Sequence, residues 1–128
     1  MNYYISAIYK GTFEEAIEKV TAELKKEGFG ILTEIDIKET LKKKLDVDFK
    51  NYRILGACNP GFAHQALLKE GKIGTMLPCN VIVEEHENGE VEISAVDPMA
   101  SMQAVENEGL TEIAIQVRDL LKKVIKNI

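Results

Sequence analysis

The period of apolar and polar positions switches several times along the chain, and each switch marks an element. Tyr3 to Tyr9 is rich in β-formers and predicts a first strand. From Phe13 the period is helical: Phe13, Ala16, Ile17, Val20 and Leu24 form one apolar stripe. Thr12 and Glu15 stand at capping-box spacing before it, and Gly28 falls at the C′ position behind it. Alternation then returns, with Ile31, Thr33, Ile35 and Ile37 on one side and Leu32, Glu34, Asp36 and Lys38 on the other, which predicts a strand with one face partly in water. A short helix is expected around Glu39 to Leu45, and a third strand from Tyr52 to Cys58. Asn59 is placed to cap a helix with Pro60 at its first position, running to about Glu70 and stopped by Gly71. Ile73 to Glu87 reads as one long extended segment interrupted by Pro78, and Asn88-Gly89 turns it into a return strand, Glu90 to Asp97. Pro98 to Glu106 reads as irregular. A last helix begins near Asn107, with Leu110, Ile113, Ala114, Val117, Leu120, Leu121 and Val124 on its inner side. The order is β-α-β-(short α)-β-α-β-β-α in a single domain, residues 1–128.

Two geometric readings bring chemistry to one place. If Asn88-Gly89 is a two-residue I′ turn, His86 faces Val91, Val83 faces Ser94, Asn80 faces Asp97 and Cys79 faces Pro98. The helix from Pro60 to Glu70 descends ~16 Å, and an extended Lys72 to Pro78 climbs back ~23 Å. A right-handed β-α-β crossover would then return Cys79 to about the level of Cys58. The dipeptides Cys58-Asn59 and Cys79-Asn80 hold the chain's two cysteines. On this reading they meet Asp97 at one end of the sheet, beside a helix N-terminus, where ligands of α/β crossovers commonly bind.

Composition narrows the classes of function. The 128 residues carry a net charge of -5, so no broad basic field attracts nucleic acid or anionic lipid. The N-terminal stretch has neither a basic n-region nor a long apolar core of a signal peptide, and no apolar stretch reaches the ~20 residues of a membrane span. A cytoplasmic location with reduced thiols is the expectation.

Within the candidate site, Cys58 precedes a helix start, where the macrodipole favours a thiolate, while the competing role for Cys58 and Cys79 is that of small buried hydrophobes. Asn59 serves equally as a cap. An Asn80–Asp97 pair could bind a ligand or satisfy backbone groups where Pro78 and Pro98 break the ladder. Gly61, Phe62 and Ala63 offer first-turn N–H groups to an anion, in competition with the Asn59 side chain. Two thiolates with a histidine would suit zinc, and with Met99 would suit Cu(I). His64 is out of phase on its helix and His86 lies at the far end of the hairpin, so neither a metal nor a Cys-His pair is expected.

The stretches Tyr52 to Pro60, Ala63 to Leu67, Ile73-Gly74 with Leu77 to Val83, and Ser94 to Met99 resemble a large prokaryotic family, domain of unknown function three hundred and two. The resemblance covers nearly the whole chain. It implies an α+β fold of the TATA-binding-protein-like class, a curved, mostly antiparallel sheet of about five strands with helices on one face, and homodimers. It implies no activity.

Two functions follow as expectations. One is a dimeric domain binding a small molecule or anion through Cys58, Asn59, Gly61, Cys79, Asn80 and Asp97, without metal or cofactor. The other is a thiol- or sulfur-chemistry enzyme with Cys58 or Cys79 as nucleophile. Dimerisation is expected because the hairpin is apolar on both sides, Ile82, Val91, Ile93 and Ala95 on one and Val81, Val83 and Val96 on the other. The loop Pro98 to Glu106 is the competing cover.

Overall fold

A computed structural model describes residues 2–128. Its strands are β1 (Tyr4–Tyr9), β2 (Gly30–Asp36), β3 (Tyr52–Cys58), β4 (Cys79–Glu85) and β5 (Val91–Val96). Its helices are α1 (Phe13–Lys26), α2 (Ile37–Leu45), α3 (Pro60–Lys69), α4 (Pro98–Ser101) and α5 (Glu108–Lys126), with a 3-10 helix at Gly71–Met76. The strands form one open sheet in the order β1-β5-β4-β3-β2, antiparallel throughout.

Local chemistry places the helices as the pattern requires. In α1 the Glu15 N–H donates to Thr12 Oγ1 at 3.2 Å and the Thr12 N–H to Glu15 Oε1 at 3.1 Å, a closed capping box. Gly28, at φ 87°, takes the left-handed turn after α1. Asn107 caps α5, accepting from the Gly109 N–H at 3.0 Å. The stripes of α1 and α5 pack on Leu55, Val81, Val83, Val91, Ile93 and Ala95 to make one core. Arg53 pins α1 from the sheet, with its guanidinium 5.6 Å from the Phe13 ring centroid and its Nη1 2.6 Å from Glu34 Oε1.

The structure corrects several expectations. Ile31 faces Ala57 but Thr33 faces Gly56, so Leu32 is the extra residue of a bulge. Ile31 therefore lies on the helix side and Thr33 and Ile35 on the other, instead of sharing one face. Ile37 is no strand residue, because Asp36 accepts from the Glu39 N–H at 3.0 Å and starts α2 there. The long extended segment from Ile73 is a 3-10 turn followed by a strand that starts only at Cys79. Strands β3 and β4 are adjacent and antiparallel, so there is no β-α-β crossover; the connection leaves and re-enters the sheet at the same end.

A further correction concerns the hairpin. The Gly89 N–H donates to the His86 carbonyl at 2.9 Å and the His86 N–H to the Glu90 carbonyl at 2.8 Å. The loop is therefore three residues, Glu87 to Gly89, with Gly89 at φ 86°. Val81 faces Ala95, Val83 faces Ile93 and Glu85 faces Val91, one step from the two-residue register. That step gathers Val81, Val83, Val91, Ile93 and Ala95 on the helix side and turns Ile82 and Val96 to the other. Pro98 to Glu106, read as irregular, begins with α4.

Three carboxyls are held below their ordinary value of about 4.5: Glu15 by its bonds with Thr12, Glu23 by Lys26 and Lys19, and Glu92 chiefly by His86. A carboxyl lowered in the folded state adds stability above its unfolded pKa, and this is lost as pH falls through the lowered value. Thermal melts are expected to hold steady from pH 7 to about 5 and to fall progressively below about 4.5. A melting temperature that rises on acidification through that window would contradict the assignment.

Candidate functional site

The pairings lay out the open sheet face, opposite α1 and α5, as three rows across the strands. One row is Ile8, Glu92, Glu84 and Tyr52; the next is Ser6, Ser94, Ile82, Ile54 and Ile35. The third runs from Tyr4 and Val96 through Asn80 to Gly56 and Thr33. Across the middle of this face lies a hollow of about 400 Å³, and no helical residue lines it. Tyr3, Tyr4 and Tyr52 supply its aromatic walls, with Tyr3 and Tyr4 packed edge to face at 5.0 Å. Asn80, Glu84, Glu92 and Ser94 supply its polar groups.

Both carboxylates have a basic neighbour. Lys50 Nζ lies 2.7 Å from Glu84 Oε1 and 5.9 Å from the centre of the Tyr52 ring. Burial raises the Tyr52 phenol above its ordinary value, and the negative charge of Glu84 raises it further. His86 Nε2 sits 2.9 Å from Glu92 Oε1, and that bond outweighs burial in lowering the Glu92 carboxyl. Glu84, His86 and Glu92 offer three ligand atoms within 4.8 Å of one another, a grouping that reading His86 as remote overlooked.

Of the residues singled out from the sequence, Cys58, Asn59 and Cys79 come together on the other side of the sheet. They line a second, apolar cavity with Phe62, Leu77 and Met102, on the side that carries α3 and α5. Cys79 faces Ala57 across the β3–β4 ladder, so the two free thiols are neighbours through antiparallel pairing. That cavity measures about 40 Å³, room for a few water molecules. Burial pushes the Cys79 thiol up to about 11, and the nearby Cys58 adds to the rise.

The other singled-out residues separate. Asn59 stands at the N-cap position of α3 but makes no capping bond there; its Nδ2 donates to the Glu27 carbonyl at 3.2 Å. It thus satisfies the end of α1, which Gly28 brings alongside. Gly61 lies exposed in the first turn of α3. Asn80 lines the hollow on the open face. Asp97 does not face it: the shifted register puts Val96 in line with Asn80, and Asp97 Oδ1 accepts from the Met99 N–H at 2.9 Å to start α4. Met99 lies apart from the thiol cavity, and the methionine that lines it is Met102.

Iodoacetamide at pH 8 is therefore expected to modify Cys79 about a hundredfold more slowly than a free thiol of pKa 9.0, by thiolate fraction alone. Mass-spectrometric mapping of the alkylated site measures this, and rapid modification of Cys79 would contradict its burial.

An open antiparallel sheet of five strands backed by helices defines an α+β protein. The chain belongs to the family described as domain of unknown function DUF302, whose model matches residues 5–128. Its structure is similar to that of an uncharacterized conserved DUF302 protein from Bacillus stearothermophilus, with 29% sequence identity and a TM-score of 0.92. The match covers 99% of this chain and 98% of that one. Among curated proteins none matches the chain. No helix among the described residues is long and apolar enough to cross a membrane.

Proposed function

We propose that this chain is a small-molecule-binding domain, and that the binding place is the hollow on the open sheet face rather than the thiol pair. The observation that carries this reading is the contrast in room. About 400 Å³ is available between the tyrosines, within the size range of small-ligand pockets, against about 40 Å³ beside Cys58 and Cys79. Aromatic walls with a few convergent polar groups are the usual makeup of such pockets. Of the residues singled out from the sequence, Asn80 belongs to this place. Reading the chain as a thiol enzyme is weakened by the raised Cys79 pKa, which keeps that sulfur protonated at neutral pH.

Pairing of two copies across the same face is the second part of the reading. Tyr3, Tyr4, Ile8 and Ile35 are exposed on that face, and Phe49 lies beside Tyr52. An apolar surface of this kind gains from burial at roughly 25 cal/mol per Å², and two-fold pairing is the commonest arrangement. Light scattering at micromolar concentration is expected to give twice the chain mass of 14.3 kDa. A mass of 14.3 kDa would remove the dimer and leave the hollow open to water.

The binding claim is tested by a ligand-detected NMR screen of neutral, anionic and cationic fragments against three proteins: wild type, Tyr3→Ala with Asn80→Leu, and Cys58→Ala with Cys79→Ala. Hits are expected to survive the cysteine changes and to disappear with the hollow changes. The reverse pattern would return the site to the thiols.

A further inference from the structure

We infer that the hollow recognises organic cations, ammonium or guanidinium groups on a short apolar stem, an inference that rests on the hollow being the binding place. Its lining carries two carboxylates, Glu84 and Glu92, and among the described residues no lysine, arginine or histidine lines it. The two carboxylates face each other directly across the β4–β5 ladder. Like charges so placed repel, and more strongly where water is partly excluded. Here the side chains keep only 15% and 25% of their exposure.

The chain itself displays how such a charge is met. Lys50 reaches over from outside the lining and sets a primary ammonium between the Glu84 carboxylate and the face of Tyr52. Glu92 has no lysine or arginine at ion-pair distance; it meets the His86 ring at 2.9 Å, and the Lys50 charge acts on it from farther off. Where the His86 ring is neutral, one ammonium against two carboxylates leaves the hollow negative, and the net charge of -5 on the whole chain adds to the same sign. An anion entering is repelled, and a neutral guest takes water from the carboxylates without bringing a charge to meet them. An alkylammonium gains a charge-assisted hydrogen bond at Glu92 and the faces of Tyr3, Tyr4 and Tyr52 around its stem. A bare divalent ion at Glu84, His86 and Glu92 would have to displace the Lys50 ammonium, and it would leave the tyrosine walls unused.

Calorimetric titration of the full chain at low ionic strength with 1,4-diaminobutane, 1,4-butanediol, butanedioate, magnesium chloride and zinc chloride tests this. The diamine is expected to bind at least about tenfold more tightly than the diol. Its affinity should fall about tenfold or more in Glu92→Gln and drop again in Tyr3→Ala, and added salt should weaken it. Both positions are at least partly exposed, and far-UV circular dichroism checks that each variant folds. Binding of the diol or butanedioate as tight as the diamine would overturn the inference. So would binding of magnesium or zinc at Glu84, His86 and Glu92 with no binding of the diamine. If uncharged fragments still occupy the hollow in the NMR screen, only the ligand class falls. If no fragment occupies it, the reading of the hollow falls as well.

Discussion

Gly56→Ala is expected to destabilise the chain by about 2–3 kcal/mol, at the upper end of what overpacking costs. Gly56 lies within β3, between β2 and β4, with its open side closed by Thr33 of β2 and by Pro78, the residue before β4. A Cβ there would collide with Thr33 Oγ1 and come within 2.8 Å of Pro78 Cγ. Neither neighbour yields easily, since threonine is stiff at its first torsion and the proline ring is rigid. Thr33→Ala in the same chain removes one obstruction and should restore part of the loss, a coupling that a double-mutant cycle in urea measures. A fully additive cycle would mean that Thr33 and the new methyl do not meet.

Leu121→Ala is expected to cost about 2–5 kcal/mol, the range for truncating a buried leucine. Leu121 is fully buried on α5 in the same core as Leu24 of α1 and Ile93 of β5. A domain stable by about 5–15 kcal/mol loses a large fraction of its stability with that side chain. Leu68 on α3, 75% exposed, is the matching control and should change stability by no more than about 0.5 kcal/mol when replaced by alanine. Similar losses at both positions would mean that α5 does not face the core as described.

The ends of α1, α3 and α5 were legible because each is written locally, whereas α4 and the 3-10 turn at Gly71–Met76 read as irregular and extended. Thr12 with Glu15, Gly28, Pro60 and Asn107 mark helix ends through bonds that span three residues or fewer, or through fixed dihedrals. The strands β3 and β5 were equally plain. Register was harder, because it depends on how many residues the turn consumes. Asn88-Gly89 serves a two-residue turn, and it serves equally the last two positions of a three-residue loop with glycine in the left-handed region. The apolar pattern held the deciding signal. Only an odd loop puts Val81 and Val83 on the same face as Val91, Ile93 and Ala95. From that register Glu84 faces Glu92, and Asp97 leaves the neighbourhood of Asn80.

The site was less legible for a related reason. Cys58 and Cys79 do meet, but through the antiparallel neighbours β3 and β4, and on the helix side of the sheet. The hollow is assembled from β1, β3, β4 and β5 together with Tyr3, so its residues share no motif and no spacing. Tyr3, Tyr52, Glu84 and Ser94 become neighbours only when strand order is known. Asn59 shows the same limit on a smaller scale. Its place before Pro60 marks the start of α3, yet its side chain serves the carbonyl of Glu27, which approaches only in the folded chain.

An amide chemical-shift map tests the central claim most directly. The isotopically labelled chain is titrated with any fragment that the screen returns, 1,4-diaminobutane first, and the shifted amides are assigned. Binding in the hollow predicts shifts centred on Tyr4, Asn80, Ile82, Glu92 and Ser94, with Phe62, Ala63 and Ala66 unmoved. Shifts centred on Cys58, Phe62 and Cys79, with Ile82 and Ser94 unmoved, would contradict it and place binding among the thiols.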